Sequence, residues 1–152
     1  MKKILFVCTG NTCRSCMAEA IFNKFCDIDE VIAESAGISV VPNSKASLNS
    51  SKVIKEFIEV DISNRKAVGL TENIMKDADL ILSMTEYIKY KLIENFKDFH
   101  DKIFTLKEIV CLNGDITDPF GGDMRIYRST YKEIEDSILL LLKKIKEDTG
   151  IA

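Results

Sequence analysis

Four short apolar stretches punctuate this chain: Lys3–Val7, Val31–Ala36, Ala78–Met84 and Lys102–Thr105. Between them lie longer stretches whose apolar residues fall three and four apart. Short apolar runs read as strands, and the intervening spacing reads as amphipathic helix. The run ADLILSM is apolar on both faces, as in a buried parallel strand. Strands that alternate with helices leave few arrangements open, because each helix must carry the chain back across a face of the sheet. The expected fold is α/β: a four-stranded parallel sheet flanked by helices on both faces, doubly wound.

The helical stretches are Ser15–Cys26, with Met17, Ala18, Ile21, Phe22 and Phe25 on one face, and Ala46–Ile58, with Leu48, Val53, Ile54 and Phe57. Thr71 and Thr85 are placed to cap two further helices, since a threonine hydroxyl accepts an early backbone N–H. The second of these carries Ile88, Leu92, Ile93 and Phe96. Tyr87 and Tyr90 on it are expected on a partly buried face. Leu106–Val110 reads as a helical turn. The last helix places Tyr127, Tyr131, Ile134, Ile138, Leu141 and Ile145 in a stripe facing a core, with lysines and glutamates on a solvated face. His100, beside Phe99, is expected at the surface. No repeat or linker interrupts residues 1–152, which read as one domain.

Composition narrows the function classes. The 152 residues are 46% hydrophobic, enough for one packed core. No apolar run approaches the roughly 20 residues of a membrane span. The start, MKKILFVC, resembles a lipoprotein signal, but its apolar run is shorter than the roughly 7 residues such a signal needs. It reads as a first strand, and the Asn49-Ser50-Ser51 sequon as idle. The five cysteines are an odd number, and three of them crowd together as Cys8, Cys13 and Cys16. That pattern speaks for a reducing cytoplasm and against a disulfide framework. The formal charge of −3, with acids and bases interspersed, predicts no nucleic-acid surface.

The chemistry concentrates where the first strand ends, in VCTGNTCRSC at 7–16. A zinc site would need a second close Cys or His pair, yet the remaining donors are the scattered His100, Cys26 and Cys111. No metal and no cofactor are expected. A strand, a glycine-containing loop at Gly10 and a helix start together aim backbone N–H groups at one point, the geometry of an anion cradle. Arg14 adds a planar fork that matches two phosphate oxygens. A cysteine at the floor of such a positive pocket is expected to react as a thiolate. Ser15 is placed to donate a hydrogen bond to it. The stretch predicts attack of the Cys8 sulfur on a bound phosphoryl group, giving a phosphocysteine. Expulsion of a basic leaving group then needs an acid. Asp118, in DPFGG, is the candidate, with Phe120 as a pocket wall; an ordinary Asp-Pro turn is the alternative reading.

CTGNTCRS, the Ser35–Gly37 triplet SAG and DPFGG resemble, in order and spacing, the low-molecular-weight protein-tyrosine phosphatases. The resemblance runs over nearly the whole chain. It implies two-step phosphoryl transfer without a metal, with Cys8 as nucleophile, Arg14 as phosphate clamp and Asp118 as general acid and then base. Thr9, Gly10, Asn11, Thr12, Cys13 and Ser15 would form the phosphate loop, Asn11 shaping it. Cys13 matches the second loop cysteine, which in the family forms a reversible disulfide with the nucleophile and shields it from over-oxidation. Cys16 departs from the family, which usually has proline there, and adds a third thiol.

The chain is similar in detail to the branch that removes phosphate from protein arginine: CTGNTCRS, KIFTLKEIV and DPFGGDMRIY carry that likeness. Thr12 offers a hydroxyl to a polar guanidinium where an isoleucine would pack on an aromatic ring. The expected activity is therefore protein-arginine phosphatase, with protein-tyrosine phosphatase as the alternative. An arsenate reductase would need further cysteines after the third strand, where ILSMTEYIKYKL has none. A phosphocysteine carrier would have little use for both Arg14 and Asp118. Phosphorylated proteins are the expected partners, inorganic phosphate the product, and a cytoplasmic monomer the acting form.

Overall fold

A computed structural model describes residues 2–148 of the chain. Strands β1 (Lys2–Cys8), β2 (Val31–Gly37), β3 (Leu80–Ser83) and β4 (Ile103–Thr105) form one parallel sheet in the order β2-β1-β3-β4. Among the described residues, six helices accompany the sheet: α1 (Arg14–Phe25), α2 (Leu48–Ile58), α3 (Glu72–Asp77), α4 (Glu86–Asn95), α5 (Leu106–Ile109) and α6 (Met124–Asp148). A 3₁₀ turn, Lys97–Lys102, leads into β4. The expected doubly wound sheet is therefore present.

The central strand explains the order. Ile4, Leu5, Phe6 and Val7 are all buried, so β1 must be covered on both faces. The chain leaves β1 leftward to β2 and later leaves β3 rightward to β4. Right-handed crossovers in opposite directions put α1 and α4 on opposite faces. Helices α1, α2 and α6 pack on one another, and α4 packs on β3 and β4. Phe22 of α1 meets Phe6 edge to face at 5.9 Å, and each such buried side chain contributes roughly 1.5–3 kcal/mol.

Thr71 and Thr85 cap α3 and α4 as expected, each accepting an N–H three residues on at 3.2 Å. Two expectations are corrected. Leu48 and Phe57 of α2 are 69% and 48% exposed; α2 starts at Leu48, capped by Ser47, and buries Val53 and Ile54, as expected, together with Ile58. Phe57 still stacks on Tyr131 of α6, with ring centroids 4.5 Å apart. Tyr87 and Tyr90 are 66% and 61% exposed, because α4 needs only Ile88 and Leu92 to cover the sheet. Their rings lie beside Lys91 and Lys89. His100 is exposed, as expected.

The strand order reverses between β1 and β3. The crevice off their carboxyl ends is where such sheets bind ligands, and the loop after β1 opens into it.

Candidate active site

That loop, residues 9–13, is built from the sheet outward. β2 extends past its last pair, Cys8 with Gly37, so that Ile38 N–H donates to Cys8 O at 3.0 Å and Ser39 N–H to Thr9 O at 2.9 Å. Ser47 N–H takes Thr12 O at 2.9 Å, and Met17 N–H takes Cys13 O at 3.0 Å. The carbonyls of Cys8, Thr9, Thr12 and Cys13 are thus held from outside. Among the described residues, no acceptor is bonded to the N–H groups of Thr9, Gly10, Thr12 or Cys13. Outward carbonyls with unpaired N–H groups, just before a helix start, make an anion cradle.

Gly37 permits this close approach. A Cβ there would lie 2.6 Å from Thr9 O and 3.0 Å from Asn11 N. Gly37→Ala must therefore displace the loop backbone. A shift of this kind is expected to lower turnover of an aryl phosphate on the order of 10²-fold. Steady-state kinetics checks it, and unchanged turnover would mean the loop geometry is not limiting.

The Cys8 sulfur lies 2.7 Å from Ser15 Oγ and accepts Asn11 N–H at 3.3 Å. Asn11 is fully buried and left-handed, φ 57°, a conformation asparagine tolerates better than most residues. Its amide donates to Ser15 Oγ at 2.8 Å and to Ser35 Oγ at 3.0 Å. Asn11 and Ser15 therefore sit behind the sulfur and line no part of the opening. The cleft in front, about 520 Å³, is lined by Cys8, Thr9, Gly10, Thr12, Cys13, Arg14, Asp118 and Phe120, joined by Val41 and Ser44. All ten residues expected at the site converge here, eight in the lining and two behind it.

Asp118 arrives from the far end of the chain. Ile116 N–H bonds Met84 O at 3.0 Å beyond the end of β3, and Glu86 N–H bonds Asp115 at 2.9 Å, which docks the Asp118 loop on the crevice. Arg14 is the hinge between the two segments. Its side chain is only 8% exposed, with Nη1 on Ile116 O at 3.1 Å and Nη2 3.7 Å from Asp118 Oδ2. The other Asp118 oxygen accepts Phe120 N–H at 3.0 Å. The carboxyl is half exposed at the mouth, and Phe120 is 83% exposed beside it.

The three loop thiols occupy different environments. Cys16 is fully buried and donates to Cys13 O at 3.2 Å. Burial pushes its thiol far above the usual range, so it stays neutral. Cys13 faces Tyr127 Oη at 3.4 Å and Ser47 Oγ at 3.5 Å. Burial, and then the Cys13 contact, push the Tyr127 hydroxyl up to about 12. Among the described residues, no group of three or more His, Cys, Asp or Glu side chains is placed to hold a metal ion. Nor is any helix among them long and apolar enough to cross a membrane.

Sequence reasoning missed Val41 and Ser44 at the mouth, and Arg65 and Glu19 behind Asn11. No local pattern signals any of them.

Comparison with known proteins places this geometry. Residues 3–150 match the family model described as low molecular weight phosphotyrosine protein phosphatase. A protein-arginine-phosphatase of Bacillus subtilis is 42% identical over 149 residues, covering 95% of this chain and 97% of that one. The crystal structure of a low molecular weight protein tyrosine phosphatase from T. tengcongensis superposes with TM-score 0.91 at 40% identity, over 95% and 99% of the two chains. A cysteine-to-serine mutant of the YwlE arginine phosphatase, solved with a phosphorylated active-site serine, superposes with TM-score 0.90 at 40% identity, over 99% of each chain.

Proposed function

We infer, from the premise that this chain belongs to the low molecular weight phosphotyrosine protein phosphatase family, that it removes phosphate from arginine side chains of proteins. The observation that carries the substrate is the cleft wall. Thr12 presents a hydroxyl there and Asp118 a carboxyl at the mouth, two polar partners suited to guanidinium nitrogens. The likeness to a protein-arginine-phosphatase supports the same reading.

In the mechanism proposed, the loop N–H groups and Arg14 hold the phosphoryl oxygens. The Cys8 thiolate attacks phosphorus, the P–S bond forms, and the P–N bond breaks. Asp118, protonated, gives its proton to the departing guanidine nitrogen. Its carboxylate then takes a proton from water as the water oxygen attacks phosphorus. The P–S bond breaks, inorganic phosphate leaves, and the Ser15 hydroxyl, 2.7 Å away, stabilises the returning thiolate. No cofactor takes part, and the protein is proposed to act as a cytoplasmic monomer on phosphorylated proteins. On oxidation, Cys13 is the partner proposed for Cys8: both line the same cleft, whereas Cys16 is a buried, neutral thiol bonded to a carbonyl.

A second reading, phosphotyrosine, is favoured by the apolar walls Val41 and Phe120 and by the tyrosine phosphatase relatives. The two are separated by kcat/KM on phosphoarginine and phosphotyrosine peptides, for the wild type and Thr12→Ile. The wild type is expected to favour phosphoarginine. The variant is expected to lose about tenfold to a hundredfold of that preference, the scale for removing one polar partner. A wild type that favours phosphotyrosine overturns the arginine assignment and leaves the family mechanism in place.

A further inference from the structure

We propose that Lys45 and Lys66 form a docking site for acidic side chains of the substrate protein, next to the phosphorylated residue that enters the cleft. The inference rests on the reading of the substrate as a phosphorylated protein side chain, whichever residue bears the phosphate.

The two lysines come from separate segments that meet as a short antiparallel ladder, with Lys45 opposite Lys66. Ala46 N–H donates to Arg65 O at 3.0 Å and Ala67 N–H to Ser44 O at 2.9 Å. These bonds flank the lysine pair and do not join it. In an antiparallel pair of this kind the Cα atoms are only about 4.5 Å apart, and both side chains stand on one face. Ala46 is buried beneath the ladder, so Lys45 and Lys66 stand on the outer face, where both are exposed. Like charges directly opposite each other destabilise a ladder. Elsewhere the chain pairs its lysines: Lys3, Lys89, Lys107, Lys132 and Lys146 each meet a carboxylate. Among the described residues, no carboxylate pairs with Lys45 or Lys66. The ladder carries two adjacent positive charges at a cost in stability, and no contact within the fold offsets it.

Their place gives the charge a use. Ser44, one residue before Lys45, lines the cleft. Both segments of the ladder are fastened to the loop after β1: Ser47 N–H holds Thr12 O at 2.9 Å, and Val68 N–H holds the Asn11 side-chain oxygen at 2.9 Å. The lysine backbones therefore keep a fixed position relative to the anion cradle. Their flexible four-carbon stems let the ammonium groups follow a partner along the rim. A phosphorylated side chain that reaches Cys8 leaves its own backbone, and the residues on either side of it, at that rim. The protein's net charge is −3, which repels an acidic partner as a whole. A local positive patch beside the mouth then selects where such a partner docks. Two charges are too few to track a nucleic-acid backbone, whose binding draws on several phosphate contacts. They match one or two carboxylates of residues flanking the phosphorylated one.

The test measures kcat/KM on two phosphopeptides that differ only in the flanking residues, aspartate in one and asparagine in the other. The phosphorylated residue is the one the wild type favours, arginine or tyrosine. The wild type is expected to prefer the aspartate peptide about threefold to tenfold at low salt, the scale of one or two exposed ion pairs, and to lose that preference as salt screens it. In the double variant Lys45→Gln with Lys66→Gln the preference is expected to vanish. In Lys66→Glu it is expected to vanish while Tm rises by about 1–4 °C, because the cross-strand pair then carries opposite charges. Lys144→Glu makes the same charge change on an exposed residue near the other end of α6 from Tyr127, and is expected to keep the wild-type preference.

A wild type that turns over both peptides equally at low salt overturns the proposal. So does a preference that survives in the double variant. So does a single-stranded DNA oligomer that competes more strongly than the aspartate peptide, since the patch would then serve nucleic acid. A wild type that hydrolyses p-nitrophenyl phosphate but neither peptide would instead overturn the reading of the substrate as a protein side chain.

Discussion

Replacing Cys8 by serine is expected to abolish turnover, by a factor on the order of 10⁴ or more, while orthovanadate still binds. A serine hydroxyl at neutral pH is a far weaker nucleophile than a thiolate. The anion cradle does not depend on the sulfur. Its carbonyls are tied down by Ile38, Ser39, Ser47 and Met17, and Arg14 is fixed by Ile116 O. An oxygen is smaller than sulfur, and its neighbours Ser15 and Asn11 suit a hydroxyl equally well, so the loop is expected to keep its shape. Steady-state kinetics and calorimetric titration with orthovanadate separate the two effects. Retained turnover would sink the phosphocysteine mechanism. Loss of both turnover and vanadate binding would show that the sulfur holds the loop together.

Asp118→Asn has the second largest expected effect, a loss of about 10²- to 10³-fold on phosphoarginine peptides, the range for a general acid. The substitution is mild for the fold. The amide oxygen still accepts Phe120 N–H, and the lost ion pair with Arg14 is long, 3.7 Å, and half exposed on the Asp118 side, so it contributes at most about 1 kcal/mol. What disappears is the proton for a basic leaving group and, later, the base for water. Nitrophenolate needs little protonation to depart, so p-nitrophenyl phosphate should suffer less. Comparing kcat/KM on the two substrates checks this. An equal loss on both would make Asp118 a structural residue of the DPFGG turn.

The legible part of the site is its local part. Cys8, Gly10, Arg14 and Ser15 belong to one strand-loop-helix unit, and short-range geometry alone aims that unit at an anion. Asp118 was legible only as a candidate, because no local rule says which loop meets the cradle. The contact between Ile116 and Met84 decides it. Exposure was the least legible property. Leu48, Phe57, Tyr87 and Tyr90 satisfy helical spacing, yet the neighbouring elements cover only part of each helix. Cys16 could be read either as a reactive thiol or as a small core residue, and only its burial settles it as a neutral donor to Cys13 O.

By itself, then, the sequence determined the strand-helix alternation, the parallel sheet, and the loop after the first strand that carries the proposed nucleophile. All of these follow from interactions between residues close together in the chain: buried runs, helical spacing and loop chemistry. Only the tertiary structure decided that Arg65 and Glu19 stand behind Asn11, that Gly37 presses on Thr9, and that Val41 shares the mouth with Phe120. Hydrogen bonds and close contacts between distant segments depend on how the helices settle on the sheet, and a linear pattern carries no record of which donor will face which acceptor.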